Sequence, residues 1–161
     1  MKRVYVETSI ISYLASRPSR NVLAVAWREV TVEWWDRRRG QFEVFISELV
    51  REEASRGDQK AAQERMSRLG GIPLLATTDA VVTLAQALVS GGALPTKAIG
   101  DALHISLCAV HRIDYLLTWN FRHLDNAELK PLVRAICLSN SHPCPEICTP
   151  QELMGELFDE G

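Results

Sequence analysis

Three carboxylates and one carboxamide lie near the ends of predicted elements that meet at one edge of a sheet. Glu7 follows the first predicted strand, and Glu53 lies on the helix after the second. Asp101 lies near the start of an apolar helix, and Asn120 follows the fourth predicted strand, with Thr118 beside it. Ligands bind beyond the carboxyl ends of strands in parallel sheets, so these residues are the first candidates for a functional site.

Carboxylates that crowd together repel one another and raise one another's pKa unless a cation neutralises them. All-oxygen ligand sets suit Mg²⁺ or Mn²⁺ far better than zinc. An ion of this kind, held by carboxylates and several waters, is well suited to phosphodiester hydrolysis. The pattern therefore raises the hypothesis of a metal site held by Glu7, Glu53 and Asp101.

Each acid also has an ordinary structural interpretation that the sequence leaves open. Glu7 can be a solvated residue at a strand end, and Glu53 can pair with a buried arginine or lysine. Asp101 has Lys97 one helical turn before it as a local partner. Taken singly, each structural interpretation is at least as good as the functional one, but an acid at three equivalent strand-end positions is less easily dismissed.

Helical periodicity selects one of three neighbouring glutamates for the inward face. Ser47 is a plausible helix N-cap, and the helix runs from it to about Gly57. At about 100° per residue, Glu53 falls within the apolar stripe, whereas Glu48 and Glu52 point the other way. The stripe consists of Ile46, Leu49, Val50, Ala54 and Gly57. We therefore expect Glu53 to face inward.

Strand and helix character alternate along the whole chain. Predicted strands cover 3–6, 42–46, 72–76, 114–118 and 147–148, and Pro73 indicates an edge position for the third. Predicted helices begin near residue 10, cover 21–39, 47–57, 60–69, 79–90 and 128–138, and begin again near 96 and 149. The alternation predicts one α/β domain over residues 1–161, with a parallel sheet and helices on both faces.

The composition is that of a globular protein, with 47% hydrophobic and 24% charged residues. The net charge of -2 gives no global attraction to nucleic acid, so a polyanion must be held by a local basic patch or a metal. No apolar run is long enough to span a bilayer, and no signal peptide is evident, so we expect a cytoplasmic protein. The four cysteines are consistent with reduced thiols. They contain no CxxC pair, which disfavours a structural zinc site, and Cys108 is predicted to be a core residue.

Four motifs, in their order and spacing, resemble the PIN-domain family, and most closely its single-domain VapC-like toxin ribonucleases. They are VETS, SELVREEASRGD, KAIGDALHIS and LLTWNFRHL, and the final CTPQELM resembles the ending of one PIN-domain subgroup. The likeness covers nearly the whole chain. It implies a three-layer α/β/α PIN-like fold and cleavage of single-stranded or structured RNA with Mg²⁺ or Mn²⁺. A homodimer and an antitoxin partner are further implications of the resemblance.

The resemblance also assigns residues to roles. The three family acids match, in order, Glu7, Glu53 and Asp101. Asn120 stands where some members carry a fourth acid, and Ser9 and Thr118 match small hydroxyl residues that support the metal shell. Two positions depart from the family: the first acid is usually Asp, and Asn120 carries no charge. A single tightly held ion is therefore expected in preference to two, and either departure could slow or abolish catalysis.

Basic residues near the proposed site have functional and structural interpretations. His104, one turn after Asp101, could shuttle a proton or touch a phosphate, but a hydrogen-bonded helix histidine is the favoured interpretation. Lys97 could orient Asp101 or bind a phosphate, or it could lie exposed near the helix start. Arg122 and His123 could contact an RNA backbone, or they could be solvated.

Two adjacent tryptophans, Trp34 and Trp35, precede the basic run at 37–39. Neighbouring positions on a helix point in different directions, so the two rings are not expected to face the same core. The sequence therefore predicts that one of them serves an interface with a second subunit or an antitoxin peptide.

The leading functional hypothesis is a metal-dependent endoribonuclease, the toxin of a toxin–antitoxin pair. The main alternative is a catalytically inactive PIN-like module that binds RNA or protein, which Glu7 and Asn120 motivate. A third hypothesis is a phosphohydrolase that acts on a small molecule. It predicts an enclosed pocket, whereas an RNA nuclease should have an open groove with a basic rim.

Overall fold

A computed structural model describes residues 1–155 and shows a five-stranded parallel sheet with helices on both faces. The strands are β1 Lys2–Val6, β2 Phe42–Ser47, β3 Leu74–Leu75, β4 Tyr115–Leu117 and β5 Glu146–Cys148. The α-helices are α1 Thr8–Leu14, α2 Val22–Glu33, α3 Glu48–Ala54, α4 Gln59–Ser67, α5 Asp79–Ser90, α6 Ile99–Val110 and α7 Lys130–Ser139. A π-helical turn covers Trp34–Arg38, and 3₁₀ turns cover Arg39–Gln41, Thr96–Ala98 and Gln151–Leu153.

The strand order is β3-β2-β1-β4-β5, and every neighbouring pair is parallel. The chain moves outward from β1 through β2 to β3, then returns to the other side of β1 with β4 and ends the sheet with β5. Helices α1 to α4 pack with one another, and α5 packs with α6 and α7. Right-handed crossovers on the two sides of β1 produce this division into two helical layers. The predicted α/β/α architecture is confirmed.

The central strand β1 is buried on both faces, because it lies between β2 and β4 with helices above and below. Its residues Val4, Tyr5 and Val6 are all fully buried. Such strands read as continuous apolar runs without alternation, as this one does. The sequence pattern therefore identifies β1 as a strand, but it does not show which of its side chains points toward which helical layer.

The edge strand β3 is shorter than the predicted 72–76 segment and contains only Leu74 and Leu75. Pro73 has no N–H to donate to the ladder, although its carbonyl accepts a hydrogen bond of 3.0 Å from the Ile46 amide. The predicted edge position is confirmed by the strand order. The helix predicted over 128–138 begins at Lys130, with Pro131 in its first turn.

The prediction that one of the two adjacent tryptophans lies outside the core is wrong, because Trp34 and Trp35 are both buried. The long helix predicted over 21–39 ends as a regular α-helix at Glu33 and continues as a wider π-helical turn. Trp34 stacks on Phe42, with ring centroids 5.9 Å apart. Trp35 is covered by the Arg39 guanidinium, which lies 4.2 Å from the ring centroid.

The described C-terminal part carries a short turn where a helix start was predicted. The Thr149 hydroxyl accepts a hydrogen bond of 3.4 Å from the Glu152 amide, as an N-cap does. The rest of that predicted helix lies outside the described residues. Cys108 is buried in the core as expected. Within residues 1–155, no helix combines the length and the apolar character that crossing a membrane requires.

Candidate functional site

The reversal of strand order between β1 and β4 creates a crevice at the carboxyl ends of these two strands. In open α/β sheets, this topological switch point is where ligands bind. Glu7 directly follows β1, and Thr118 directly follows β4. The Glu7 amide donates to the Leu117 carbonyl over 3.1 Å, so the two strand ends are held together. The predicted site residues at these two positions are therefore neighbours in space.

Glu7 is a buried carboxylate held by three donors. Its Oε1 accepts from the Ser9 hydroxyl over 2.6 Å and from the Thr118 hydroxyl over 2.5 Å. Its Oε2 accepts from the Ser9 amide over 3.0 Å, so Glu7 also caps the N-terminus of α1. Only 6% of the Glu7 surface is exposed. The alternative interpretation of Glu7 as a solvated residue at a strand end is therefore wrong. Ser9 and Thr118 lie where supporting residues were predicted.

Glu53 faces the crevice from α3, as the helical periodicity predicted. Its Oε1 accepts from the Thr8 hydroxyl and is bonded to His104 Nε2, both over 2.7 Å. Its Oε2 lies near Gly100: a Cβ atom added to this glycine would be 3.8 Å from the oxygen. Burial alone raises the pKa of Glu53, but the bond and charge of His104, with Thr8 and the more distant Arg56, lower it below its usual value.

His104 is fully buried, and both of its ring nitrogens are engaged. Nδ1 lies 2.7 Å from the Tyr5 hydroxyl, which lies 2.7 Å from the Ser47 hydroxyl. Nε2 faces the acceptor-only carboxylate of Glu53, so the hydrogen-bond network assigns a proton to Nε2 in either charge state. Burial lowers the pKa of His104, but the Glu53 bond and the charges of the neighbouring acids raise it above the usual value.

This network makes His104 a support for Glu53, which matches the favoured interpretation of a hydrogen-bonded helix histidine. Tyr5 and Thr8 were not predicted as part of the site. No sequence pattern indicates a role for Tyr5, because the buried residues of β1 are all apolar or aromatic. No pattern indicates a role for Thr8, because its partner Glu53 is remote in sequence. Only the folded geometry brings these residues together.

Asp101 lies at the other side of the crevice, near the start of α6. Its Oδ1 accepts from the Asn120 amide group over 3.3 Å, and its Oδ2 lies 3.1 Å from His123 Nδ1. Within residues 1–155, no ion pair joins Lys97 to Asp101. Both side chains instead line a cavity of about 380 Å³, together with Glu53. Asn120 and Asp101 are thus brought together as predicted, and His123 joins them.

A set of potential metal-ligand atoms gathers in the crevice. One such atom from each of Glu7, Glu53 and His104 lies within 4.8 Å of the others. His104 is a poor ligand here, because its Nε2 proton points at Glu53 and its Nδ1 faces Tyr5. The oxygens of Glu7 and Glu53 are thus the donors that remain in this group. Such a set fits a hard divalent cation such as Mg²⁺ or Mn²⁺.

Asp101 is not a member of that compact group, since its carboxylate is held by Asn120 and His123. It lies close enough for its charge to raise the pKa of His104. Two carboxylates therefore form the compact part of the site, and a third acid stands next to them on α6. The compact group therefore offers the carboxylates of Glu7 and Glu53 to one ion, whereas both Asp101 oxygens are engaged by Asn120 and His123.

Comparison with protein families shows that the PIN-domain family model matches residues 4–129 of this chain. The matched segment includes residues 4–6 of β1 and all four predicted acid or amide positions. Proteins with this domain are in general metal-dependent nucleases, and the acidic cluster in the crevice agrees with that description. Comparison with curated proteins finds no match.

Proposed function

This chain belongs to the PIN-domain family, and we propose that it is a Mg²⁺- or Mn²⁺-dependent endoribonuclease and the toxin of a toxin–antitoxin pair. The observation that carries the proposal is the approach of the Glu7 and Glu53 carboxylates at the switch point of the sheet. Two carboxylates that face one crevice repel each other, and a bound divalent cation would relieve that repulsion. RNA as substrate, a homodimer and an antitoxin partner are supported by the resemblance to VapC-like toxins.

In this proposal Glu7, Glu53 and Asp101 hold the ion. When bound, a divalent ion supplies an activated water and stabilises negative charge on a phosphate. Ser9 and Thr118 fix the Glu7 carboxylate from one side, as their three hydrogen bonds indicate. These contacts hold the carboxylate oxygens in place before any ligand arrives, which lowers the cost of binding.

The remaining site residues orient the other two acids. His104 and Thr8 hold Oε1 of Glu53 and leave Oε2 toward the cavity at Gly100. Asn120 and His123 hold the Asp101 carboxylate. A neutral Asn120 lowers the negative charge of the crevice by one relative to a fourth acid, which makes the approach of a phosphate less unfavourable.

Cationic side chains near the acids support a phosphate-bearing substrate. The cavity of about 380 Å³ that contains Glu53 and Asp101 is also lined by Lys97 and Arg56. Both of these basic residues are exposed, so they form an accessible basic rim. A chain with a net charge of -2 needs such a local positive region to hold a polyanion.

A second basic region supports an extended substrate. A cavity of about 720 Å³ lies at the far end of α1 and contains five basic residues against two acids. The basic residues are Arg17, Arg28, Lys60, Arg65 and Arg68. The cavity lining begins at Ser12, four residues after Thr8 on α1, so about 6 Å of helix separates its near edge from Thr8. A polynucleotide, which carries several phosphates, can contact the acids and this basic region at the same time.

The second candidate function is a non-catalytic PIN-like module that binds RNA or protein. The neutral Asn120 and the glutamate at position 7 favour it, because both depart from the family pattern. Calorimetric titration with Mn²⁺ separates the two functions. The nuclease should bind Mn²⁺ with loss of affinity in Glu53→Gln, whereas absence of binding at millimolar Mn²⁺ would support the non-catalytic module.

The proposed activity is tested by RNA cleavage in Mn²⁺ and in Mg²⁺ with Glu53→Gln and Asp101→Asn. Each substitution removes one charge from the site while it keeps the side-chain shape. We expect each to lower the cleavage rate by at least about 10- to 100-fold. Glu48→Gln is the matched control, since Glu48 lies exposed on the same helix as Glu53. Full activity in both site variants would show that these acids do not form the active site.

A further inference from the structure

An open cavity of about 370 Å³ lies beside the crevice and has no role in the proposed metal site. Its lining combines three aromatic residues with a polar side. The lining residues are Trp27, Trp119, Phe121, Thr149, Gln151 and Glu152. The cavity therefore offers flat aromatic surfaces and hydrogen-bonding groups to the same ligand.

The aromatic side of the cavity is rigid and partly accessible. Trp27 and Trp119 are stacked with ring centroids 5.3 Å apart and planes 14° apart. The Trp119 indole N–H donates to the Thr31 hydroxyl over 2.8 Å, which fixes the pair against α2. Phe121 lies against Trp27 at 5.5 Å and is 43% exposed. A planar ring can therefore stack on Phe121 or on the half-buried Trp27 without rearrangement of the pair.

The polar side of the cavity carries Gln151 and Glu152, which are both exposed. A carboxylate accepts hydrogen bonds, and a carboxamide both donates and accepts them. Glu152 also repels phosphate groups, so the ligand portion that fits here is uncharged. An aromatic face beside a hydrogen-bond acceptor matches a nucleobase whose exocyclic amino group donates to Glu152.

The cavity is tied to the crevice through a continuous stretch of chain. Trp119 and Phe121 are the two neighbours of Asn120, which holds Asp101. The Trp119 amide donates to the Ser9 hydroxyl over 2.8 Å, and that hydroxyl donates to Glu7. A nucleotide whose phosphate lies at the acids would therefore have the neighbouring base within reach of the aromatic residues.

We propose that the cavity between Trp27, Trp119, Phe121 and Glu152 binds an unpaired nucleobase with an exocyclic amino group. The inference rests on the proposed ribonuclease function, because it places this base next to the phosphate that is cut. It adds a source of substrate preference that the metal site lacks. Cytosine and uracil are the clearest pair for comparison, since cytosine has an amino donor where uracil has a carbonyl acceptor.

The test is equilibrium binding of fluorescein-labelled oligocytidylate and oligouridylate of eight nucleotides, measured by anisotropy in EDTA so that no cleavage occurs. Wild-type protein should bind the cytidylate more tightly. Phe121→Ala should weaken cytidylate binding by about 5- to 150-fold through loss of stacking, and Phe121→Tyr should restore it. Leu138→Ala, which truncates an apolar side chain that is 76% exposed on α7, is the control and should have no effect.

Glu152→Gln provides a second test that does not depend on an aromatic residue. A carboxamide can donate to the uracil carbonyl, so this variant should bind the two oligonucleotides with similar affinity. Equal binding of both oligonucleotides by the wild type would overturn the proposal, as would unchanged affinity in Phe121→Ala. A change in oligomeric state on sedimentation of Phe121→Ala, with unchanged RNA affinity, would instead identify a protein interface and would also overturn it.

Failure of this inference and failure of the nuclease proposal have different signatures. Normal RNA cleavage by Phe121→Ala with unchanged RNA affinity would contradict the base site but not the nuclease proposal. If the protein binds cytidylate selectively through Phe121 but does not cleave RNA in Mn²⁺ or Mg²⁺, the base site is supported and the nuclease proposal is contradicted. Absence of RNA binding by the wild-type protein, together with absence of cleavage in Mn²⁺ and Mg²⁺, overturns both.

Discussion

Replacement of Tyr5 by Phe removes one oxygen atom from the buried network behind Glu53, one of the proposed metal ligands. That oxygen lies 2.7 Å from His104 Nδ1 and 2.7 Å from the Ser47 hydroxyl. Ser47 keeps a partner after the change, since it accepts from the Val50 amide over 3.3 Å. His104 Nδ1 does not, and it stays fully buried. The cost of the substitution is therefore dominated by one unsatisfied nitrogen.

A buried polar group that loses its partner costs about 1–3 kcal/mol of unfolding free energy. For a chain of this size, each kcal/mol lowers Tm by about 2–4 °C, so Tyr5→Phe should lower Tm by about 2–12 °C. The His104 ring also loses the contact that fixes its orientation toward Glu53. Loss of support behind a ligand typically weakens metal binding at least tenfold, so we expect about tenfold weaker Mn²⁺ binding.

Circular dichroism during urea and thermal unfolding measures the free energy of unfolding and Tm. Calorimetric titration measures the affinity for Mn²⁺. Tyr115→Phe is the matched control, because Tyr115 lies on the adjacent strand β4 and packs edge-on against Phe42 at 6.2 Å. Within residues 1–155 its hydroxyl makes no side-chain hydrogen bond, so the control should change stability by less than about 0.5 kcal/mol. Equal stability and equal Mn²⁺ affinity in the two variants would refute a supporting role for the Tyr5–His104 network.

Further substitutions test the Glu7 contacts and the helical packing. Thr118→Val removes the 2.5 Å hydrogen bond to Glu7 and should lower the unfolding free energy by about 1–3 kcal/mol in urea; no change would mean that the bond is not formed. Glu7→Asp shortens the side chain and draws the carboxylate away from the Ser9 hydroxyl. Although Asp is usual in the family, this variant should bind Mn²⁺ about tenfold more weakly by calorimetry. Tighter Mn²⁺ binding would contradict the role given to the Ser9 contact. Gly91→Ala would place a Cβ 2.9 Å from the backbone oxygen of Ala87 and 2.7 Å from Ile136 Cδ1. It should lower Tm by about 2–12 °C because the backbone contact cannot be relieved by a side-chain rotation, whereas a raised Tm would show that the end of α5 relaxes freely.

The sequence was sufficient to predict the residues whose position depends on local periodicity. Glu53 could be assigned to the inward face because apolar residues surround it on one face of α3. Glu7 and Asn120 could be assigned to strand ends because β1 and β4 are short apolar runs with polar residues after them. The parallel order of the strands then places these ends at one edge of the sheet.

The residues that were missed depend on contacts between remote segments or on irregular helices. Tyr5 contacts His104 across 99 positions of sequence, and no local pattern indicates that pairing. Trp34 and Trp35, in the π-helical turn, are both buried because Phe42 stacks on one ring and the Arg39 guanidinium covers the other, and helical periodicity indicates neither contact. His123 turns back to Asp101 from an irregular loop, whose course the sequence does not determine.

Metal-dependent RNA cleavage at the acidic crevice is tested most directly by the cleavage rate of the wild-type chain during removal and readdition of Mn²⁺. We predict that excess EDTA abolishes cleavage of a structured RNA, and that Mn²⁺ restores it with the saturation curve of a single site. A single site is expected because Glu7 and Glu53 form one compact pair of ligands, with Asp101 beside them. Undiminished cleavage in EDTA, or absence of cleavage at saturating Mn²⁺, would contradict the proposed function.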